Sequence, residues 1–286
     1  MPSALVSTDW LAEHLQSPDV RVVDATYCLP HLGRDPQAEF EAAHIPGAVF
    51  FDIDDVADET NPLPHMVPSA IKFAARVRKL GLGDGSRIVV YDNNRYAASA
   101  RVWWMFRMYG HRDVTVLDGG LAKWQAEGRP LDDFPRAPTE RHFTSRHNTL
   151  LLRELDQMRR NVANKAEQVV DARSPGRFAG AEPEPRAGLR AGHIPGSLNL
   201  HYERLLDPAS GTLLPREELA KAFAAAGVDL GRPIATTCGS GVTAAIVNLA
   251  LHELGHTEAA LYDGSWTEWG NLVRAPIETG EAGPPA

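Results

Sequence analysis

The sequence predicts an α/β fold built twice over, as two homologous domains that each hold a parallel sheet with helices on both faces. Three observations carry this. First, the chain repeats itself: VVDA at 22–25 returns at 169–172, HIPGA at 44–48 as HIPGS at 193–197, YGH at 109–111 as LGH at 254–256, and LDGG-x2-KW at 117–124 as YDGS-x2-EW at 262–269. Four matches in the same order at a nearly constant spacing mark a duplicated unit. Second, short β-branched runs alternate with longer helix-like segments in both halves, the grammar of parallel sheets. Third, 286 residues with 43% apolar and 23% charged side chains suffice for two globular cores.

The strands expected in the first half are VRVVD (20–24), RIVVY (87–91) and VTVLD (114–118). In the second they are QVVD (168–171), PIATT (233–237) and EAALYD (258–263). The helices expected between them include Ser69–Leu80, Ala98–Tyr109, Arg216–Ala226 and Val242–Leu254. The stretch from about Pro130 to Asn148 is rich in Pro, Arg and His and follows neither period. The chain therefore divides into a first domain at 1–130, a linker at 131–150 and a second domain at 151–286.

A formal charge of −8 argues against a general nucleic-acid or anionic-membrane surface, though a local basic pocket for a small anion is compatible with it. No apolar run reaches membrane-spanning length, and MPSALVSTDWLAEHL lacks the basic start and apolar core of a secretory signal. Two cysteines, Cys28 and Cys238, are too few for a disulfide framework and form no Cys-x-x-Cys pair. A reducing, cytoplasmic setting is expected, and it suits a free thiolate. The histidines are scattered, so neither a metal nor a cofactor is expected.

In doubly covered parallel sheets ligands sit beyond the carboxyl ends of the strands, which directs attention to the residues after Tyr91 and Thr237. The segment PIATTCGSGVTAAIV reads as strand, tight loop and helix. Cys238 ends the strand. Gly239 and Gly241 let the loop curl with its amide N–H groups turned inward, and a helix starting near Val242 points its positive end at the same place. That focus suits an anion: a Cys238 thiolate or persulfide. Such settings lower a cysteine pKa below its free value of roughly 8.5. Three other readings fit parts of the segment. Cys238 as a buried structural cysteine is the first. The second is dinucleotide binding, since GSGVTA matches G-x-G-x-x-A, although little chain follows it. The third is a cysteine phosphatase, whose Cys-x5-Arg loop would need arginine where Ala244 stands. In the first half the position matching Cys238 is Asp92, in a loop without cysteine or glycine. The duplication therefore has one chemically equipped half and one supporting half.

The paired HIPG segments, the CGSGVTA loop and YDGSWTEW resemble the tandem-domain rhodaneses over nearly the whole chain. CGSGVTA, LGRDPQAEFEAAHIPGAVFFDID, ARVWWMFRMYGH and GRF-x-G-x-EPEPR are similar to the 3-mercaptopyruvate sulfurtransferases within that group. Thiosulfate sulfurtransferases place basic residues after the cysteine instead. The resemblance implies a small anionic sulfur donor, a persulfide on Cys238 and transfer to a thiol, cyanide or a thioredoxin-like acceptor. It implies two arginines gripping the donor's carboxylate and keto group, matched by Arg177 and Arg186. It also implies a serine–histidine–aspartate set, matched by Ser240, His65 and Asp54, with the last two supplied by the first domain. Gly239, Gly241, Val242 and Thr243 complete the loop that would cradle the sulfur. Asp54 also reads as a helix N-cap and His65 as a solvated loop residue. His44 and His193, present in both halves, read as architectural. Trp103, Trp104, Trp124, Trp266 and Trp269 read as core or interface aromatics. Cys28 reads as incidental.

Overall fold

A computed structural model describes residues 3–29, 32–135 and 137–281. The first half runs β1 (Leu5–Val6), α1 (Thr8–His14), β2 (Val20–Asp24), α2 (Pro36–Ala42), β3 (Val49–Phe50), α3 (Ala70–Lys79), β4 (Arg87–Tyr91), α4 (Ser99–Met108), β5 (Val114–Leu117) and α5 (Gly120–Ala126). The second half repeats that alternation: β6 (Leu152–Arg153), α6 (Leu155–Asn164), β7 (Gln168–Asp171), α7 (Pro175–Ala179), β8 (Leu198–Asn199), α8 (Arg216–Ala225), β9 (Ile234–Thr237), α9 (Ala244–Glu253), β10 (Ala260–Tyr262) and α10 (Ser265–Trp269). Each half forms a five-stranded sheet, ordered β1-β5-β4-β2-β3 and β6-β10-β9-β7-β8, with every pairing parallel. One order is the other shifted by five strands, so the duplication read from the motifs is a duplication of topology.

The central strands are where the apolar runs lie, because both faces are covered and nearly every position is buried. Residues 88–91 and 234–237 are buried throughout. Matching residues build each core: Leu11, Val22, Ile45, Val89 and Trp124 in one, and Met158, Val169, Ile194, Ala235 and Trp269 in the other. Trp124 and Trp269 are fully buried and each satisfies its indole N–H on a proline carbonyl, Pro130 at 2.8 Å and Pro276 at 2.9 Å. His44 and His193 also repeat one arrangement. Each is buried, stacks on a phenylalanine (Phe40, Phe178) and places Nδ1 against that residue's carbonyl oxygen. Their backbones bridge Asp132 and Glu278. These histidines are architectural.

The chain divides into two compact units. One comprises Met1–Glu59, Val67–Asn148 and Pro208–Leu213, and the other Thr60–Met66, Thr149–Asp207 and Leu214–Ala286. Two departures from the sequence reading follow. The stretch to Asn148, expected as part of a linker, belongs to the first unit; Arg146 and Asn148 bond their N–H groups to Tyr109 and Met108 carbonyls of that unit. His65, expected from the first domain, belongs to the second unit through the short segment 60–66. No helix of the described residues is long and apolar enough to cross a membrane.

Candidate active site

The site is built at the carboxyl edge of the second sheet. β9 delivers Cys238 by pairing Thr237 with Asp171, the last residue of β7. Helix α9 begins at Ala244 with Thr243 as its N-cap, two residues later than the sequence reading placed it. Gly241 turns the loop at φ +75°, and the N–H groups of Ala245 and Ile246 close tight turns onto Val242 and Thr243 carbonyls. Only glycine adopts that φ at little cost. Gly239 has a different reason to be glycine: a Cβ there would lie 3.1 Å from Nη2 of Arg177. Cys238 itself is 2% exposed, and Ser240 and Val242 are also buried.

Helix α10 fastens the loop from beneath. Trp266 N–H donates to the Cys238 carbonyl at 3.0 Å, and Thr267 N–H to that of Gly239 at 2.8 Å. Ser265 Oγ accepts the Cys238 N–H at 3.2 Å and donates to the Tyr262 carbonyl at 2.8 Å. Ser265 holds φ +47° while fully buried, a backbone state that costs a non-glycine residue about 1 kcal/mol or more.

The sequence SPGRFAG explains where Arg177 sits. Ser174 caps α7, Pro175 starts it and Gly180 ends it at φ +77°, so Arg177 rides on one short, well-terminated helix rather than in a loop. Its guanidinium is held by Glu184, with Nη2 at 2.6 Å and Nε at 3.3 Å. Glu184 also accepts from Arg173 Nη1 at 2.8 Å. Arg173 is fully buried, paired with Asp171 through Nε and Nη2, and lies over the Trp266 ring. Burial alone would lower the Arg173 pKa, but the two carboxylates outweigh it and the pKa rises above its ordinary value. The line Asp171–Arg173–Glu184–Arg177 thus alternates sign from the sheet to the Cys238 loop.

Arg186 is half-buried, and its Nη2 donates to His65 Nε2 at 3.3 Å. That contact requires Nε2 to be unprotonated. His65 is 6% exposed and holds φ +61°, so it is a buried, strained residue and not a solvated loop residue. Asp54 is exposed in a turn of the first unit, where its N–H bonds to Asp52 Oδ1; among the described residues the next helix begins only at Ala70. The structure therefore brings Cys238, Ser240, His65, Arg177 and Arg186 into one unit and leaves Asp54 in the other. Cys28 is buried in the first unit, where desolvation pushes its thiol pKa up.

The first unit shows what this loop shape does. β4 pairs Tyr91 with Asp24 as β9 pairs Thr237 with Asp171, so Asp92 occupies the place of Cys238. Its carboxylate accepts four backbone N–H groups: Oδ1 from Asn94 at 3.1 Å and Tyr96 at 3.0 Å, Oδ2 from Ala98 at 3.1 Å and Ser99 at 2.8 Å. An anion at this position is surrounded by inward amides, a nest filled by the protein's own side chain. Removing it strands buried donors, each worth about 1–3 kcal/mol. Asp92→Ala is therefore expected to cost roughly 2–4 kcal/mol of stability. Chemical denaturation checks this; a loss below about 0.5 kcal/mol would show that the carboxylate is dispensable.

The rhodanese-like domain matches residues 7–127 and again 154–272. The chain belongs to the rhodanese family. Among its relatives, "Thiosulfate/3-mercaptopyruvate sulfurtransferase 2" of Arabidopsis thaliana is 43% identical, over 96% of this chain and 86% of the relative. The human 3-mercaptopyruvate sulfurtransferase is 42% identical, over 93% of this chain and 91% of its own length. Among solved structures, the 3-mercaptopyruvate sulfotransferase SseA of Escherichia coli superposes with a TM-score of 0.85 at 38% identity, covering 93% of this chain and all of that one. Both rhodanese domains are present, and the nucleophile candidate lies in the second.

The motifs did not single out Ser265, Glu184, Arg173 and Asp171. A trace of Ser265 was available, since YDGS differs from LDGG at that position alone among its last three residues. Glu184 left only the acidic alternation of EPEPR.

Proposed function

We propose that this rhodanese moves a sulfane sulfur from 3-mercaptopyruvate through a Cys238 persulfide to a thiol, cyanide or thioredoxin-like acceptor and releases pyruvate. The observation that carries the reading is the placement of Cys238 at a strand end, in a loop whose first-unit twin surrounds an anion with four N–H groups. The relatives' names supply the donor.

The Cys238 thiolate attacks the donor's sulfur. The S–S bond forms, the C–S bond breaks, and its electron pair leaves on carbon as the pyruvate enolate. The charge that develops on the keto oxygen is where arginine donors act, so Arg177 and Arg186 hold the carboxylate and that oxygen. The enolate carbon then takes a proton, along a path through Ser240 and His65. The persulfide rests on the N–H groups of Gly239, Ser240, Gly241, Val242 and Thr243. In the second displacement a thiolate or cyanide takes the outer sulfur and the Cys238 thiolate returns. No metal or cofactor enters these steps. Two cysteines without a disulfide fit a reducing, cytoplasmic setting.

Thiosulfate is the second reading, because one relative's name pairs both donors. The loop favours 3-mercaptopyruvate: residues 239–243 carry no cation to meet the second charge of thiosulfate. Steady-state kinetics with each donor should give the higher kcat/KM for 3-mercaptopyruvate. Ser240→Lys should move the ratio toward thiosulfate by about tenfold, one ion contact's worth. Equal or reversed efficiencies in the natural protein would place it with the thiosulfate enzymes.

A further inference from the structure

We propose that Glu184 sets how much positive charge the donor meets and so selects a singly charged donor over a doubly charged one. The inference rests on the sulfurtransferase reading above and names a specificity residue for it. Glu184 is nearly fully buried, with 4% of its side chain exposed, between Arg173 at 0% and Arg177 at 23%. Arg173 is already matched by Asp171 at 2.6 Å. The second carboxylate of the line is therefore surplus to Arg173, and its charge falls on Arg177. The four side chains sum to zero, and Arg177 reaches the Cys238 loop as a hydrogen-bond donor whose charge is locally balanced.

Geometry narrows its role further. Nε and one N–H of Nη2 face Glu184. What remains for a ligand is the Nη1–Nη2 end, beside Gly239. That end can still grip one carboxylate through two parallel N–H groups. The net cation left in the set is Arg186, whose Nη2 donates to His65 Nε2. One net positive charge matches a monocarboxylate with a protonated thiol. A dianion such as thiosulfate would carry one charge more than the set balances. Glu184 thus acts through Arg177 and is a positioning and specificity residue, not a catalytic one.

The test compares kcat/KM for 3-mercaptopyruvate and thiosulfate in the natural protein, in Glu184→Gln and in Glu184→Asp. Removing one charge at ion-pair distance should lower the 3-mercaptopyruvate to thiosulfate ratio about tenfold in Glu184→Gln. Glu184→Asp keeps the charge and should hold the ratio within about twofold, even if both efficiencies fall. A purely structural role would move the two donors together, and an unchanged ratio in Glu184→Gln overturns the proposal. So does an equal shift in Glu184→Asp. Should Glu184→Gln not fold, calorimetry on Cys238→Ser with Glu184 intact decides. Thiosulfate should then bind no more than about threefold tighter than pyruvate, and a preference above about tenfold overturns the proposal. A natural protein inactive with 3-mercaptopyruvate but active with thiosulfate would instead remove the donor reading itself.

Discussion

Cys238→Ser is expected to lose sulfur transfer with either donor by more than about a thousandfold, the scale seen when a covalent nucleophile is removed. The hydroxyl that replaces the thiol fits the same buried place, so folding should survive and the loss should sit in kcat. Cys28→Ser should keep most of the activity. Cys28 lies in the other unit, and its thiol pKa is raised by burial, which lowers the fraction of thiolate. Stopped assays with 3-mercaptopyruvate and a small thiol acceptor measure both variants. An active serine variant would leave the loop without its assigned role.

The second large effect concerns Arg177 and Arg186. Each charge-assisted contact to the donor is worth roughly 1.5–3 kcal/mol, so Arg→Ala at either position should cost about tenfold to a hundredfold in kcat/KM. The two losses should differ in kind. Arg177→Ala also leaves Glu184 with Arg173 as its remaining ion-pair partner, so it should lower thermal stability as well as activity. Arg186→Ala removes a half-buried side chain that donates to His65 Nε2, and should leave stability nearly unchanged. Arg→Lys should not restore either site fully, because an ammonium lacks the planar two-donor end. If the arginines bind only the ground state, KM rises and kcat holds; if they also meet the enolate, kcat falls too. The mechanism above requires the fall in kcat. A change below about threefold at both positions would separate the arginines from the donor.

How much of this could be read from residues alone follows from what each element owes to its neighbours. β2, β4, β7 and β9 are central and buried on both faces, so VRVVD, RIVVY, QVVD and IATT declare themselves as apolar or β-branched runs. β1, β3, β6 and β8 are two-residue edge strands, shorter than any period, and exist because a neighbouring strand offers a register. Cys238 was legible because its loop carries its own signal, glycine at a strand end before a helix. Arg177 and Arg186 came from the family likeness, and the cap residues Ser174, Pro175 and Gly180 that fix Arg177 went unread. Glu184 and Ser265 work through partners 7 and 27 residues away in sequence, a relation no local pattern encodes. The unit that holds His65 is illegible for a similar reason: the segment 60–66 groups with chain that resumes only at Thr149.

The central claim is that the sulfur travels on Cys238, and mass spectrometry tests it most directly. The protein is treated with 3-mercaptopyruvate without an acceptor, digested under non-reducing conditions and mapped. The account predicts one added sulfur, on the peptide that contains Cys238, and its disappearance when cyanide or a thiol is added. An added sulfur on Cys28, or none at all while pyruvate is still released, would contradict it.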